Sequence, residues 1–372
     1  MTIPATLRTW AEIRLDALQA NARFLTSHTR PRRGLMAVVK ADAYGLGARG
    51  CVEALKEIVP AFAVASSTEA AEIADIAGDA DILILSPALP AEYDEIVHNR
   101  WVATVSSLEE VHTIRHHVTT VPARLHVCVD TGMGRIGVWK EEADALFDAL
   151  RQVDQVEVHS ISTHLPSADD DPDFTRSQLV EFDQMIPKWI AQFPAAAIHA
   201  TNSAGAMRDP QWSYDYVRAG LSLFGVSPLP EFQSRLREVV QWKARVTLVR
   251  DVGAGRSVGY GRTFVTPHPM RLATLAVGYA DGFPRQASGH GAQVLIGGKR
   301  CAVVGRVTMD QIVVDVSAVG SVHPGDEAVL VGSQGGESIT ATELAEWGDT
   351  IAWDILSGMG RRVARVHGQG GA

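Results

Sequence analysis

Cysteine is scarce in this sequence: three residues in 372, Cys51, Cys128 and Cys301, with no CxxC pair among them. That excludes a disulfide scaffold and a thiolate metal centre, whose ligands come in close pairs, and it fits a reducing compartment. No run of 18 apolar residues occurs, so nothing reads as a membrane-spanning helix. The opening stretch MTIPATLRTWAEIRL lacks the apolar core of a signal peptide, and a cytoplasmic, unanchored protein is expected. Basic residues are outnumbered, 34 Lys and Arg against 43 Asp and Glu, giving a net charge of −9. A nucleic-acid binder needs the opposite balance, so no nucleic-acid partner is expected. There is no repeat of fixed period, and the one biased segment is the Gly-rich tail GQGGA, expected to fray.

What remains is an ordinary globular composition, 46% hydrophobic and 21% charged, in a chain too long for one compact core. From about residue 34 to 225, short apolar runs alternate with helical patterns. The strand candidates are GLMAVV, AFAVAS, DILILS, VATVS, ARLHVCV, VEVHSIS, AIHAT and a last one within YDYVRAGLSLFG. Between them, stretches such as VEALKEIV, TEAAEIADIA and EEADALFDALRQV place apolar residues at i, i+3 and i+4. Strands apolar throughout suit burial on both faces of a parallel sheet, and eight alternations predict a (β/α)8 barrel. Beyond about Pro230, runs such as QWKARVTLVRDV, AQVLIGG, QIVVDVS and EAVLVGS are separated by Gly, Asp and Pro turns, with one helical segment near ATELAEWGDTIAWDILSGM. The expected fold class is therefore α/β, an N-terminal (β/α)8 barrel over residues 12–230 with a mostly-β domain from 1–11 and 231–372. The early run RTWAEIRL is expected to add a strand to that second domain.

Barrel enzymes place their chemistry at the C-terminal ends of the strands. Lys40 closes the first run and leads into ADAYGLG, a tight, Gly-bearing turn into a helix. Desolvation there would lower its pKa and free the amine to condense with a carbonyl, although a strand-end lysine is as readily a solvated side chain. The whole string AVVKADAYGLG decides between the two. It resembles the cofactor-lysine signature of the alanine racemase family almost residue for residue, and five further motifs follow in that family's order. They are DTGMGRIG, STHLPSADD, ATNSAGAM, YVRAGLSLFG and LAVGYADGFPR, with GRVTMDQ after them.

The resemblance implies pyridoxal phosphate on Lys40, with Tyr44, Ser203 and the backbone of Gly220 and Leu221 at its phosphate. Arg218 would face the pyridine nitrogen, and His164 would contact an arginine and a catalytic tyrosine. Arg135 would reach the phenolic oxygen and the substrate carboxylate, a task suited to a permanently charged guanidinium fork. Tyr279 would be the second base opposite Lys40, with Met309 and Asp310 lining the substrate pocket. Free tyrosine has a pKa of ~10 and needs cationic neighbours to act near neutrality, which a chain Tyr279–His164–Arg218 would supply. In the family the tyrosine and the Met-Asp pair come from a second subunit, so a head-to-tail homodimer with shared sites is implied. No metal is expected.

The implied activity is interconversion of L- and D-alanine, with a serine-preferring or broad-specificity racemase as the alternative. A pyridoxal-phosphate decarboxylase would place an acid at the pyridine nitrogen, where Arg218 stands. A non-catalytic cofactor-binding barrel would lack the second domain and hence Tyr279. Gly132, Gly134 and Gly137 form a GxGxxG, but after the fifth strand and without the acidic residue of a dinucleotide site.

Three positions depart from the family pattern. Leu46 stands where histidine is usual and is expected to bear on turn packing. Arg361 replaces a tyrosine found in several members. Cys128 replaces a lysine whose carbamate pairs with the arginine seven residues on. Another anion, a bound chloride or a Cys128 thiolate would then have to position Arg135; otherwise Cys128 is a neutral, packed thiol.

Overall fold

The computed structural model describes residues 3–118 and 121–368, so the Gly-rich tail beyond Gly368 lies outside the described residues. The chain opens with β1 (Thr9–Arg14) and a helix, Leu15–Thr29, whose buried Leu18, Ala22 and Leu25 recur at helical spacing. There follow β2 (Gly34–Val38), β3 (Ala61–Val64), β4 (Asp81–Pro87), β5 (Val102–Val105), β6 (Ala123–Asp130), the two-residue β7 (Val138–Trp139), β8 (Val156–Ser162), β9 (Ala197–His199) and β10 (Tyr216–Ala219). Eight of these form one parallel sheet in the order β10-β2-β3-β4-β5-β6-β8-β9, and β7 pairs on the side of β6. The ring closes where Asp215 N donates to Ile198 O at 2.8 Å and Arg218 N to Thr201 O at 3.1 Å. The barrel expected from the alternating pattern is present.

The strands read as continuous apolar runs because both faces are covered: AFAV of β3 and VATV of β5 are buried at every position. Two of the helices that follow start on a Ser-x-x-Glu pattern. Ser66 and Ser107 each cap by accepting from the backbone N–H three residues on, Glu69 and Glu110. Glu69 then turns back to accept from Ala65 N at 2.7 Å and from Ala41 N at 2.9 Å. A helix cap of the third strand's crossover is thereby tied to the residue after Lys40.

The second sheet is built around β11 (Val240–Val252), which pairs antiparallel with β1 and with Glu327–Gln334. The closing strand Ala364–Gly368 runs parallel to β1 on its other side, so the early run does join the β-rich half. Near the C-terminus the expected single helical segment is two helices, Ala341–Trp347 and Ala352–Ser357, separated where Asp349 takes φ 51°. One apolar core is continuous through barrel and β-rich half.

Candidate active site

At the C-terminal mouth of the barrel lies a cavity of about 520 Å³, lined among others by Lys40, Tyr44, Arg135, His164, Arg218 and Gly220. It holds eight of the expected residues, since Ser203 and Leu221 line it too. The segment after Lys40 is more unusual than its sequence suggests. Ala41, Asp42, Ala43 and Tyr44 all take φ between 53° and 56°, a full left-handed turn made without glycine. Left-handed helical geometry costs roughly 1–2 kcal/mol per L-residue, so the surroundings must hold it. Glu69 grips Ala41 N, Asp42 Oδ1 accepts from Ala48 N at 2.6 Å, and Leu46 is fully buried behind the turn. Leu46 does serve packing, and its carbonyl accepts from His367 at 2.7 Å. Burial and the charge of Arg135 both lower the Lys40 pKa, against an opposing pull from Glu69.

The turn delivers Tyr44 to the far wall. Its ring tilts against Phe224 at 5.1 Å, and burial pushes its hydroxyl pKa up to about 12. A Cβ at position 220 would lie 2.2 Å from the Tyr44 oxygen, so only glycine allows this approach. Ser203 Oγ accepts from Gly220 N at 3.1 Å. The helix Ser203–Arg208 is capped not by Ser203 but by Asn202, whose Oδ1 accepts from Gly205 N at 3.0 Å. First-turn N–H groups there and in the 3₁₀ turn Leu221–Phe224 have no intrahelical partner, which suits an anion.

Arg218, 5% exposed, is the hub of the cavity. It donates to Thr163 O and Ala200 O at 2.9 Å, to His164 Nδ1 at 3.0 Å and to His199 Nδ1 at 2.5 Å. No carboxylate pairs with it among the described residues. Burial pulls its pKa to about 10, which leaves it charged at neutrality, and burial beside Arg218 drives His164 down to about 3, which leaves that ring neutral.

Arg135 sits on the glycine-rich loop. Both Asp130 oxygens accept from that loop's backbone, from Gly132, Met133 and Gly134 N at 2.7 Å and from Arg135 N at 3.3 Å. The glycines let the backbone wrap this carboxylate, Gly132 with φ +145°, so the GxGxxG encloses an aspartate rather than a pyrophosphate. Of the options for positioning Arg135, Asp130 therefore acts through the backbone. The Cys128 thiolate does not fit: burial pushes that thiol's pKa up to about 11 despite nearby Arg218 and Arg135.

Tyr279, Met309 and Asp310 are brought together elsewhere, on the β-rich half. Tyr279 N donates to Thr308 O and Ala280 N to Met309 O, both at 3.0 Å. Tyr279 is 41% and Met309 52% exposed, and neither lines the cavity of its own chain. The chain Tyr279–His164–Arg218 is thus present from His164 to Arg218, with Tyr279 outside it. Sequence reasoning singled out Arg361, which is exposed; the neighbouring Arg362 makes the contacts. Its fork spans Asp281 at 2.9 and 3.1 Å and Asp310 at 2.6 Å, and it reaches Met309 O at 3.4 Å. Asp281, almost fully buried, accepts from Gly278 N at 2.9 Å, so Arg362 locks the tyrosine and methionine turns together. Asp130, His199, Glu69 and Arg362 all went unread; only the Ser-x-x-Glu spacing gave a usable signal, for Glu69.

The alanine racemase N-terminal domain model matches residues 13–228 and the C-terminal domain model residues 239–367. The chain belongs to the alanine racemase family. It is 42% identical to the alanine racemase of Symbiobacterium thermophilum over 367 residues, 97% of each chain. Among solved structures, the alanine racemase from D-cycloserine-producing Streptomyces lavendulae superposes with a TM-score of 0.92 at 34% identity, covering 99% of this chain and 98% of that one. The Bartonella henselae enzyme, solved with covalently bound pyridoxal phosphate, gives 0.88 at 29% identity over 97% and 99%. Racemisation of alanine is the function of this family, and its members are isomerases. Among the described residues no helix is long and apolar enough to cross a membrane.

Proposed function

We propose that the chain interconverts L- and D-alanine with pyridoxal phosphate carried on Lys40, using Lys40 and Tyr279 as bases on opposite faces of the substrate α-carbon. The observation that carries this reading is the donor set of the cavity. It joins a lysine whose charged form is disfavoured to a buried arginine with no carboxylate partner among the described residues, across a cradle where Gly220 leaves Tyr44 no intervening side chain. Those residues fit the cofactor: Lys40 for its aldehyde, Tyr44, Ser203 and the backbone of Gly220 and Leu221 for its phosphate, Arg218 for its ring nitrogen.

When bound, pyridoxal phosphate withdraws electrons and acidifies the substrate's Cα–H. Everything else falls to the chain. Arg135 orients the substrate carboxylate, and Lys40 takes a proton on one face as the neutral amine and returns one as the ammonium. Arg218 opposes protonation of the ring nitrogen by like-charge repulsion, which favours return of the proton to the α-carbon and disfavours transamination or decarboxylation. His164 is held neutral by Arg218 and presents its other ring nitrogen to the second base.

Tyr279, Met309 and Asp310 we assign to the cavity of a second copy, in a head-to-tail homodimer with two shared sites. Residues 12–230 then form the cofactor-binding barrel, and 1–11 with 231–372 the domain that completes the partner's site. The exposure of Tyr279 and Met309 in one chain supports this. The enzyme acts on a small amino acid in the cytoplasm. A D-amino-acid-oxidase-coupled assay across alanine, serine and larger amino acids tests the activity: alanine should be turned over fastest, and no D-alanine from L-alanine would refute it.

A further inference from the structure

The interior of a (β/α)8 barrel is ordinarily filled by branched apolar side chains. In this one a polar column runs from the floor to the mouth. At the floor, Asp81 opens β4, with Arg124 at 2.7 Å and His159 Nε2 at 3.0 Å. His159 Nδ1 lies 3.1 Å from Ser160 Oγ, which lies 3.0 Å from His126 Nδ1. His126 Nε2 lies 2.9 Å from Ser162 Oγ, and Ser162 pairs in register with Cys128 across β6 and β8. His126, Cys128, His159, Ser160 and Ser162 are all at most 5% exposed, and His126, Cys128 and Ser162 line the cavity that holds Lys40.

The column has a direction. A carboxylate accepts and never donates, and Arg124 already supplies the counter-charge of Asp81. His159 therefore donates from Nε2, and with one proton on the ring its Nδ1 accepts from the Ser160 hydroxyl. The Ser160 oxygen then accepts from His126 Nδ1–H, which leaves His126 Nε2 to accept from Ser162. The Cys128 thiol, beside Ser162 at the head of the column, donates to the Ile136 carbonyl at 3.9 Å. From Ser162 to Asp81 every proton points down the barrel.

We propose that Asp81, His159 and Ser160 are positioning residues for the active site, which act by fixing His126 in its Nδ1–H tautomer. His126 stacks on His199 with ring centroids 4.8 Å apart and planes 17° apart, and His199 accepts from Arg218. The groups facing His126 are Arg218, His159, His199, Ser160, Ser162 and Cys128. A neutral, immobile His126 keeps the support of Arg218 rigid, and a neutral Cys128 leaves the charges of Arg135 and Arg218 directed into the cavity. Burial beside Arg218 lowers His126 to about 3, in keeping with a ring that stays neutral.

The kinetic part of this inference rests on the racemase reading; the tautomers are read without turnover. In ¹⁵N-histidine-labelled holoenzyme, NMR should show His126 protonated on Nδ1, the rarer neutral tautomer, and His159 on Nε2. Ser160→Ala should move the His126 proton to Nε2, with kcat falling roughly tenfold and the KM for alanine little changed. A wild-type His126 protonated on Nε2, or a doubly protonated His159, would reverse the column and overturn the proposal. So would a Ser160→Ala protein with unchanged tautomer and kcat. If Ser160→Ala does not fold, Asp81→Asn, which loses the obligatory acceptor, should give a mixed His126 pattern. Loss of racemisation in wild type with the tautomers as stated would refute the racemase reading and leave the column standing.

Discussion

Arg218 Nη2 lies 3.0 Å from His164 Nδ1, and since a guanidinium only donates, that ring nitrogen is the acceptor and the proton sits on Nε2. His164 is thereby set as a neutral donor at the rim of the cavity. His164→Phe should retain the cofactor, because Arg218 keeps His199 and two carbonyls, but lower kcat by roughly 10- to 100-fold. Steady-state kinetics with cofactor occupancy measured by absorbance check this; unchanged kcat removes His164 from the site's work.

Acid should unfold this protein from within the barrel. His126 and His164 have pKa values lowered from 6.5 to about 3, by burial first and Arg218 second, and His199 lies well below 6.5 for the same causes. Between those values the unfolded chain binds more protons than the folded one, so stability is full above pH 6.5 and falls as pH drops toward 3. Asp81 adds to the loss at the acid end: burial would raise it, but His159 and Arg124 hold it near 2. The Tm should fall steadily from pH 7 to pH 4; a flat Tm over that range contradicts neutral buried histidines.

Gly220→Ala tests the cradle. The added Cβ would meet Tyr44 Oη at 2.2 Å and Cζ at 2.9 Å. The strain should cost about 1–3 kcal/mol of stability and displace the Tyr44 hydroxyl. Cofactor affinity, read by equilibrium dialysis, should fall; wild-type affinity and Tm together would show that the approach is not needed.

Arg362→Ala should loosen the turns that carry Tyr279 and Met309. The expected result is a kcat lower by roughly tenfold with a small change in Tm. Arg362→Lys should not restore activity, since one ammonium cannot span Asp281 and Asp310 as the fork does. Full activity in the lysine variant would contradict this.

The barrel was legible because strands such as AFAV and VATV, buried on both faces, carry no alternation and announce a parallel sheet. Lys40, Arg135 and Arg218 were legible through the motifs around them. The left-handed turn at Ala41–Tyr44 was not, because no glycine marks it; Glu69 holds it from outside at Ala41 N, and the carboxylate of Asp42 within it ties it to Ala48 N. Asp130 and Arg362 were equally hidden, since each acts on backbone or side chains that only the folded loops bring near. The histidine column joins β4, β6 and β8, and no local spacing relates Asp81 to His126.

The central claim is that Lys40 and Tyr279 serve one site from two chains. Lys40→Ala and Tyr279→Phe chains, each inactive alone, can be unfolded together and refolded with pyridoxal phosphate. A mixed dimer with shared sites has one intact site of two, so about a quarter of wild-type activity should return in an equal mixture. No recovery, in mixtures shown by mass spectrometry to contain the hybrid, would contradict it.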